Sequence, residues 1–599
     1  MVNLFRRVHA FGLRHRVGVC LILAFLFLFP TLYGGFYLED FWHQALLDAH
    51  ARGLDRSGLL DFSEKLWSWE AERTGETGLG KLGESSPFAR VWFAHPDARV
   101  RLFRPLTAWT LLANHRISGK DPFGYHAVNL GLWLLLVLAV LELHRRLIPR
   151  DPPVLLLAGL FFVLDKDHLG NVAWVAARPG LLDVLLSVVS LLFYDRFRQH
   201  GGLHRLLLCL LALALALCSG ETAMATLVWL VAYEIFLARE PLRHRPITAI
   251  LPALLIAGYA LLYVALGYGA RASGWYLSLL DRPRDYLITL LTQRLPGNLM
   301  GALTPIPADF SQAPSTAVIL AGLVLAGIVA AFLLPVVRRR PEMRFAAAAG
   351  LGTLPFLGTG PAFDSRLLFP SVAFSLLLAA GVTDALRRLR DAAPTSRLRK
   401  AGLGLMAGLI LSMSCLVSPL LGAWFGRMFA RVGYLETRLG VWRTIEWPQR
   451  EDAHVYLLST PGTWTGLFLP YENLYFTGRQ IGDYIPVSIQ SIDFEMTRLD
   501  ADTVRLRSPE GFLSGYFAQA LAALVRPDPR IWPRETFHRA GLTVAVTRSP
   551  AGIPTEMIVR FPLDLDDERV HLLAFDGTRT RRIPAPEVGE TFLLRIQRP

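Results

Sequence analysis

The sequence predicts a polytopic α-helical membrane protein that carries a β-rich domain at its C-terminal end. The first observation is composition: of 599 residues, 52% are hydrophobic and only 19% are charged, and the mean hydropathy is +0.36. Soluble domains carry about 25% charged residues, so this balance favours a membrane protein. The second observation is a series of long apolar runs separated by short basic turns, and the third is a change of pattern after residue 426.

The basic residues argue against a nucleic-acid-binding protein, and the cysteines argue against a protein stabilised by disulfides. The formal net charge is +13, but the arginines and lysines lie between apolar runs rather than along one stripe, which disfavours a nucleic-acid partner. Cys20, Cys209, Cys218 and Cys415 lie in or beside apolar runs without metal-ligand spacing. We therefore expect no disulfide framework.

The apolar runs predict about 11 transmembrane helices. A helix needs about 20 mostly apolar residues to cross the bilayer core, and fewer where neighbouring helices shield it. The predicted spans are residues 17–37, 126–143, 153–165, 180–194, 204–219, 222–237, 247–268, 315–337, 345–359, 367–386 and 402–425. The first run also has the basic flank of a signal peptide, but "PTLYGG" is a poor small-residue cleavage site, so we interpret it as an anchor.

The turns between the spans predict the orientation, because cytoplasmic loops carry an excess of Lys and Arg. With the N-terminus in the cytoplasm, the inner turns are strongly basic; they are residues 144–150, 195–205, 238–245, 337–344 and 387–400. The outer loops are mixed in sign or mildly acidic; they are residues 39–125, 165–180, 219–222, 270–314 and 360–366. We therefore predict a multi-pass protein of the bacterial inner membrane with a periplasmic C-terminal domain.

Two domains follow from this layout. Residues 1–426 form the membrane domain with a large first outer loop at 39–125, and residues 427–599 form the periplasmic β-rich domain. An odd number of spans places the second domain outside. Its short alternating apolar runs are typical of strands; they lie at 454–459, 542–547, 556–561 and 591–596, with one helix predicted near 515–525.

Polar residues that are costly to dehydrate gather on the outer side of the predicted spans, which points to a functional site there. The candidates are Glu39, Asp40, Arg104, His126, Asn129, Lys166, Arg178, Asp183, Glu221 and Arg366. A layout of this kind is expected of a site that opens to the far side of the membrane.

Most of these residues also have a purely structural interpretation. Glu39 and Asp40 could favour the N-terminal dipole of an outer helix, Arg104 could snorkel to the interface, and Arg178 and Asp183 could pair with each other. The remaining structural interpretations are interhelical hydrogen bonds for His126 and Asn129, an exposed loop pair for Lys166 and Asp167, and an ordinary flank for Arg366. Glu221 is hard to explain in this way, because a tight turn hardly needs a buried acid.

Taken in order, the motifs resemble the membrane glycosyltransferases of the GT-C superfamily. The similarity is to the protein O-mannosyltransferase-like branch and its transmembrane-plus-TPR mannosyltransferase relatives, without the TPR part. It covers about residues 17–390 and is carried by Glu39-Asp40, "FRPLTAWTLLANHRISGKDPFGYHAVNLGLWLL" (103–135), "NVAWVAARPGLLDVLL" (171–186), "SGETAMATLVWLV" (219–231) and "DSRLLFPSVAF" (364–374). Gly220 stands where the relatives have the lysine of a Lys-Glu pair, and Glu-Asp stands where they have Asp-Asp or Asp-Glu.

The resemblance implies an inverting transfer of a hexosyl or pentosyl group from a polyprenyl-phosphate carrier to a hydroxyl acceptor outside the membrane. Asp40, or Glu39 if the register differs, would be the general base that accepts the proton of the hydroxyl. The departing phosphate needs cations where its charge accumulates, and the guanidinium group matches phosphate oxygens. The candidates for this role are Arg104, Arg178 and Arg366, with Lys166 as the weaker one.

The other candidates would position the reactants. Glu221, His126 and Asn129 would hold the first loop or the sugar, and Asp183 is included among the substrate-binding residues. No metal cluster is visible in the sequence, and a divalent cation shared by Glu39 and Asp40 stays an open alternative. The sequence names neither the sugar nor the acceptor, which could be protein, lipid or glycan.

Two other classes of function compete with this prediction. A transporter or flippase of lipid-linked glycan precursors predicts internal repeats and helices broken near the midplane; only the Gly- and Pro-rich residues 352–361 fit that pattern. A membrane sensor whose outer domain binds carbohydrate leaves the charges at the outer face unexplained. Substitution of Asp40 distinguishes them, because only an enzyme would lose turnover while keeping its fold.

Overall fold

A computed structural model of the chain describes residues 15–70, 86–238, 245–308, 316–390, 397–434, 443, 445–450, 452–479, 481–539 and 541–596. Part of the predicted first outer loop (71–85) and parts of two basic turns (239–244 and 391–396) lie outside the described residues. The chain divides into two compact units. The first unit comprises Met1–Gly34, Phe103–Leu266 and Pro283–Arg431, and the second comprises Gly35–Leu102, Gly267–Arg282 and Val432–Pro599.

The α-helices of the described residues are α1 (Arg16–Leu28), α2 (Glu39–Ala51), α3 (Leu59–Trp67), α4 (Pro105–Ser118), α5 (Pro122–Leu147), α6 (Pro152–Val163), α7 (Leu169–Ala173), α8 (Arg178–His200), α9 (Leu203–Leu217), α10 (Thr226–Phe236), α11 (Arg245–Ala265), α12 (Pro283–Thr289), α13 (Leu295–Leu303), α14 (Thr316–Arg339), α15 (Pro341–Thr353), α16 (Leu368–Arg390), α17 (Arg397–Ser412), α18 (Ser418–Tyr434), α19 (Thr463–Thr477) and α20 (Tyr516–Val525). Two π-helical turns, Leu290–Arg294 and Met413–Val417, join α12 to α13 and α17 to α18.

The first unit is built from helices that suit a membrane. In the described residues, six are long and apolar enough to cross one; they are Arg16–Tyr33, Pro122–Leu147, Val175–His200, Thr316–Arg339, Asp364–Arg390 and Arg397–Met428. Shorter apolar helices include Pro152–Val163, Leu203–Leu217 and Ile250–Ala265. A helix lies at each of the eleven segments that the sequence predicts as spans. The chain is therefore a multi-pass membrane protein, and the count of about eleven spans stays a prediction.

Helix α16 forms the centre of the first unit. In the membrane-length segment Asp364–Arg390, 89% of the most apolar window is buried, whereas a lipid-facing helix keeps most of its surface outward. The Trp229 ring stacks on the Phe369 ring with centroids 4.9 Å apart, and Trp229 Nε1 donates to Thr353 Oγ1 at 2.9 Å. This packing fixes the start of α16, next to the turn that carries Asp364 and Arg366.

The basic turns at the predicted cytoplasmic ends are held by ion pairs. Arg146 Nη1 lies 3.2 Å from Asp195 Oδ2, and Arg387 Nη2 lies 2.5 Å from Asp151 Oδ1. These acids neutralise part of the positive charge, which lets the helix ends pack closely.

The described residues of the second unit form three sheets. The strands are β1 (Ser68–Glu70), β2 (Arg99–Arg101), β3 (Gly269–Arg271), β4 (His454–Ser459), β5 (Asp483–Pro486), β6 (Phe494–Arg498), β7 (Thr503–Arg507), β8 (Thr536–Arg539), β9 (Leu542–Arg548), β10 (Glu556–Arg560), β11 (Val570–Phe575), β12 (Thr580–Arg582) and β13 (Thr591–Leu594). Six strands form an antiparallel sheet in the order β13-β6-β7-β10-β9-β8, and four form a second sheet in the order β12-β11-β4-β5. The third sheet, β1-β2-β3, uses two strands from the first outer loop.

Three of the predicted runs, 542–547, 556–561 and 591–596, lie at the strands β9, β10 and β13 of the six-stranded antiparallel sheet. Alternation identifies such strands because one face of the sheet is buried. Along β7, Val504 and Leu506 are buried while Arg505 and Arg507 are exposed. In the second sheet, β4 pairs in parallel with both β5 and β11. Parallel strands need a crossover connection, and α19 follows β4 in that position.

Candidate active site

The two predicted acids begin helix α2 in the second unit, and the structure makes them unequal. Asp40 is 1% exposed and its Oδ2 accepts a hydrogen bond from the Tyr37 N–H at 3.0 Å, whereas Glu39 is partly exposed. Both lie in the first turn of α2, where the helix dipole stabilises negatively charged side chains. The structural interpretation of the pair thus accounts for their position, although it does not explain the burial of one carboxylate.

The backbone just before the acids is strained. Leu38 has a φ of 51° and a ψ of −115°, a region that residues with a Cβ rarely adopt. Such strain costs of order 1–3 kcal/mol and clusters at functional sites. It sets the direction in which the chain enters α2 and so fixes the position of the Asp40 carboxylate.

Aromatic packing holds the body of α2. The Phe41 ring meets the Tyr475 ring of α19 edge-on, with centroids 5.6 Å apart, and Phe36 meets the same ring at 5.6 Å. Aromatic pairs of this geometry add about 0.5–1.5 kcal/mol each beyond their buried area. The helix that carries the acid pair is therefore anchored on a helix of the C-terminal part.

In the first unit, Arg104 and Glu221 form an ion pair. Arg104 Nη2 and Nε lie 2.7 and 3.0 Å from Glu221 Oε2, and each side chain is 21% exposed. Two hydrogen bonds join the start of α4 to the residues that follow α9. Leu106 N donates to Cys218 O, and Thr107 Oγ1 donates to Ser219 O at 2.9 Å. The beginning of α4 is thereby fastened to the turn between α9 and α10.

Asp183 completes this group, which we call the Arg104 cluster (Arg104, Asp183, Glu221 and Tyr259). Asp183 is 2% exposed, and the charges of Arg104 and Glu221 act on it, as they do on Tyr259. Among the described residues, Asp183 Oδ1, Glu221 Oε1 and the Tyr259 hydroxyl are buried without a hydrogen-bond partner. Buried polar atoms are normally satisfied, so three unsatisfied atoms in one cluster are unusual and mark it as a candidate binding site.

Gly220 explains why this chain departs from the Lys-Glu pair of its relatives. A Cβ at residue 220 would lie 2.5 Å from Asp183 Oδ2. A lysine there would force the Asp183 carboxylate to move, so glycine and the buried carboxylate belong together.

Arg178 lies in very different surroundings. It is 0% exposed; its Nε donates to Asn129 Oδ1 at 2.7 Å and its Nη2 to Asn114 Oδ1 at 2.8 Å. Asn129 in turn donates to Val172 O at 3.3 Å. These contacts do not favour the alternative in which Arg178 pairs with Asp183. Arg178 instead holds α8 against α4 and α5, and Asn129 takes part in this packing.

His126 lies at the start of α5 and faces the end of the first helical segment. A Cβ at Gly34 would lie 3.2 Å from His126 Nε2. The imidazole ring therefore packs against the backbone of that turn.

Lys166 is buried among carboxylates. Its Nζ lies 2.5 Å from Asp167 Oδ1 and 2.7 Å from Asp364 Oδ2, and the Lys166 and Asp167 side chains are 1% and 2% exposed. The interpretation of Lys166 and Asp167 as an exposed loop pair is therefore wrong. Burial alone would lower the pKa of Lys166, but Asp167, Asp364 and Asp165 outweigh it and raise the pKa above its usual value.

Two arginines converge on the turn Leu354–Thr359. Arg366 Nη1 donates to Leu357 O at 3.3 Å, and its guanidinium lies so close to Gly360 that no Cβ fits there. Arg294, which is 3% exposed, donates to Gly358 O. Sequence reasoning did not single out Arg294, Asn114 or Tyr259, because each lies in or beside an apolar run and its partners are distant in sequence.

Metal ligation is not evident in the part of the chain that the structure describes, where no group of three or more His, Cys, Asp or Glu side chains is arranged around one point. The alternative of a divalent cation at Glu39 and Asp40 stays untested.

Comparison with known proteins gives partial matches to one named activity. The chain is 34% identical over 129 residues to protein O-mannosyl-transferase Tmtc1 of Drosophila melanogaster, and 28% identical over 99 residues to protein O-mannosyl-transferase TMTC1 of Homo sapiens. The predicted resemblance to the transmembrane protein O-mannosyltransferases is confirmed over these segments. These matches span 21% and 16% of this chain but only 15% and 11% of the relatives. No family model matches the chain.

Solved structures give a weaker similarity over more of the chain. The crystal structure of ArnT from Cupriavidus metallidurans bound to undecaprenyl phosphate is 13% identical, covers 76% of this chain and 83% of its own, and has a TM-score of 0.38. The apo structure of the same protein has the same TM-score, 0.38.

Proposed function

We propose that the chain is an inverting glycosyltransferase that moves a sugar from a polyprenyl-phosphate donor to a hydroxyl acceptor on the extracytoplasmic side of the membrane. The observation that carries this proposal is the set of buried, unpartnered oxygens on Asp183 and Glu221. An ionised carboxylate only accepts hydrogen bonds, so its partner must be a donor. The hydroxyls of a sugar are such donors.

The Arg104 cluster would hold the sugar. Glu221 keeps one oxygen on Arg104 at 2.7 Å and presents the other, while Asp183 and the Tyr259 hydroxyl supply further hydrogen-bonding atoms. Since leaving such atoms unsatisfied costs about 1–3 kcal/mol each, the bound state gains from their pairing.

The leaving phosphate would be stabilised by arginine. Arg104 and Arg366 are both partly exposed, and Arg366 lies on a turn that Arg294 also contacts. The donors of a guanidinium act most strongly where negative charge develops in the transition state. Arg178 would instead position the helices, with its donors directed at Asn129 and Asn114.

The acceptor hydroxyl would lose its proton to an acid of α2. Asp40 is the first candidate, because its neighbours fix it in place, and Glu39 is the alternative because it is the more exposed of the two. The oxygen of the acceptor forms the new bond to the anomeric carbon while the bond to the phosphate oxygen breaks, and the carboxylate takes the hydroxyl proton. The location in a bacterial inner membrane, with residues 427–599 in the periplasm, belongs to this proposal.

A panel of radiolabelled polyprenyl-phosphate sugars, incubated with purified protein, tests the proposal. The variants are Asp40→Asn and Glu39→Gln, and Asp48→Asn is the matched control because Asp48 lies on the same helix and pairs with Arg52. We expect one donor to be consumed by the wild type and by the control, and one of the two acid variants to lose turnover by roughly 100-fold or more.

The binding of the donor is measured in parallel. An acid variant that binds donor but does not turn it over supports the assignment of the base. If the wild type binds and consumes no donor of the panel, the proposal fails, and a transporter or flippase of lipid-linked precursors becomes the better explanation.

A further inference from the structure

One carboxylate of the first unit holds two arginines, which we call the Asp151 group (Asp151, Arg340 and Arg387). Asp151 Oδ2 lies 3.2 Å from Arg340 Nη1, and its Oδ1 lies 2.5 Å from Arg387 Nη2. Arg387 Nη1 adds a hydrogen bond to Oδ2 at 3.0 Å. The three residues lie before α6, between α14 and α15, and in the last turn of α16. Since one carboxylate balances only one guanidinium, the group has one positive charge in excess.

Both guanidinium groups keep donors that the carboxylate does not use. A guanidinium has five N–H donors; Arg340 gives one of them to Asp151, and Arg387 gives two. The side chains of Arg340 and Arg387 are 34% and 44% exposed, so a ligand can approach them. The carboxylate holds the two guanidinium groups side by side, and guanidinium donors match the oxygens of a phosphate group.

The charge around the Asp151 group is also positive. Helices α6 and α15 both begin there, since Asp151 and Arg340 are their N-cap residues, and helix N-termini favour anions. The described segments 150–151, 338–344 and 384–390 carry more arginines than acids. The arginines are Arg150, Arg338, Arg339, Arg340, Arg344, Arg387, Arg388 and Arg390, and the acids are Asp151, Glu342 and Asp384. An anion is therefore the ligand that the electrostatics favour.

A lipid-facing helix leads to this group. Helix α14 ends one residue before Arg340, and only 22% of its most apolar window is buried. One face of α14 exposes Leu320, Val324, Ile328 and Leu334, and Arg338 follows Leu334 by four residues on the same face. The acyl chains of a phospholipid can therefore lie along α14 while its headgroup reaches the arginines.

We propose that the Asp151 group binds the phosphate of an anionic phospholipid at the end of α14, with Arg340 and Arg387 donating hydrogen bonds to the phosphate oxygens. The headgroup of phosphatidylglycerol carries one negative charge, which balances the excess charge of the group. The group belongs to turns that the sequence predicts to be cytoplasmic, and basic pockets between transmembrane helices on that side bind anionic headgroups. This lipid site is independent of sugar transfer.

Binding of ³²P-labelled phosphatidylglycerol to the purified full chain in a neutral detergent tests the inference. Phosphatidylcholine with the same acyl chains is the zwitterionic competitor, and glycerophosphoglycerol is the headgroup without chains. We expect saturable binding of phosphatidylglycerol that neither competitor displaces at equal concentration. The affinity should be roughly 5–10-fold weaker in Arg340→Gln and in Arg387→Gln, because either variant leaves one guanidinium for one carboxylate.

Arg388→Gln is the matched control. Arg388 is the neighbour of Arg387 on α16, and its Nη2 lies 2.7 Å from Asp384 Oδ2 in a one-to-one ion pair. The variant removes the same charge from the same helix end and should retain most of the wild-type affinity. Arg387→Lys keeps the charge but loses the forked donors, so its affinity should lie between those of the wild type and Arg387→Gln.

Thermal unfolding gives a second readout, and Tm without phospholipid verifies the fold of each variant. Because a ligand that binds only the folded state stabilises it, phosphatidylglycerol should raise Tm of the wild type and of Arg388→Gln more than phosphatidylcholine does. The rise should shrink in Arg340→Gln and Arg387→Gln. Three results would overturn the inference: equal binding of the two phospholipids, equal loss of affinity in Arg388→Gln and Arg387→Gln, or displacement by glycerophosphoglycerol at equal concentration, which would indicate a site for free phosphate esters.

Discussion

Arg104 and Arg178 resemble each other in the sequence, but the structure gives them opposite surroundings. Arg104 pairs with a carboxylate and keeps 21% of its side chain exposed. Arg178 is wholly buried and directs its donors at neutral amide oxygens. A partly exposed ion pair can exchange its partner for a ligand, whereas a buried arginine held by amides cannot leave without disrupting three helices. The comparison separates a residue suited to binding from one suited to bracing.

Arg104→Gln is expected to have the largest effect and to act on turnover. Glu221 and Asp183 would lose the cation that acts on both of them, and the developing phosphate charge would lose a donor, so kcat/KM should fall about 100–1000-fold. Stability should change by about 1 kcal/mol or less, because the pair is partly exposed. The measurement is turnover of the donor identified in the panel, together with Tm. Full activity in this variant would remove Arg104 from the site.

Arg178→Met should act on stability instead. It leaves the side-chain oxygens of Asn129 and Asn114 buried without their donor, which costs about 1–3 kcal/mol for each group. Thermal unfolding and the yield of monodisperse protein measure the effect. A variant that unfolds like the wild type yet loses turnover would contradict the comparison and return Arg178 to the phosphate site.

Gly220→Ala sharpens the description of the Arg104 cluster. The φ of Gly220 is −170°, which is extended backbone that alanine also adopts, so the effect isolates the contact of a Cβ with Asp183 Oδ2. We expect a loss of about 1–3 kcal/mol in the free energy of unfolding. Gly131→Ala is the control, since a Cβ there meets nothing within 4 Å. A Tm of Gly220→Ala equal to that of the wild type would show that Asp183 moves freely.

Asn129→Asp should have the smallest effect. It gives Arg178 an ionic partner at the position of the present 2.7 Å bond and so makes its surroundings more like those of Arg104. Desolvation of a buried carboxylate roughly offsets the attraction, and Tm should therefore stay close to that of the wild type. A large stabilisation would mean that Arg178 lacks a counter-charge in the native protein.

The helices and antiparallel strands follow from the sequence because apolar periodicity is local. A helix lies at each predicted span, and the antiparallel strands β9 and β10 match the predicted runs 542–547 and 556–561. The surroundings of single side chains do not follow, because they depend on contacts between distant segments. Lys166 meets Asp364 across 198 positions, and Arg178 meets Asn114 across 64. The parallel pairing of β4 with β11 is likewise invisible to alternation, since register in a buried sheet is set by the rest of the fold.

The packing of α2 on α19 has a consequence for biosynthesis. About 400 residues separate Ala51, at the end of α2, from Thr463, at the start of α19. Polypeptides are made at about 5–20 residues per second, so the ribosome needs roughly 20–80 s to deliver the partner that covers Phe41. Throughout that interval, the aromatic side chains of α2 lack the helix on which they pack in the native protein. Folding of the helix that carries the acid pair is therefore completed only in the last third of translation.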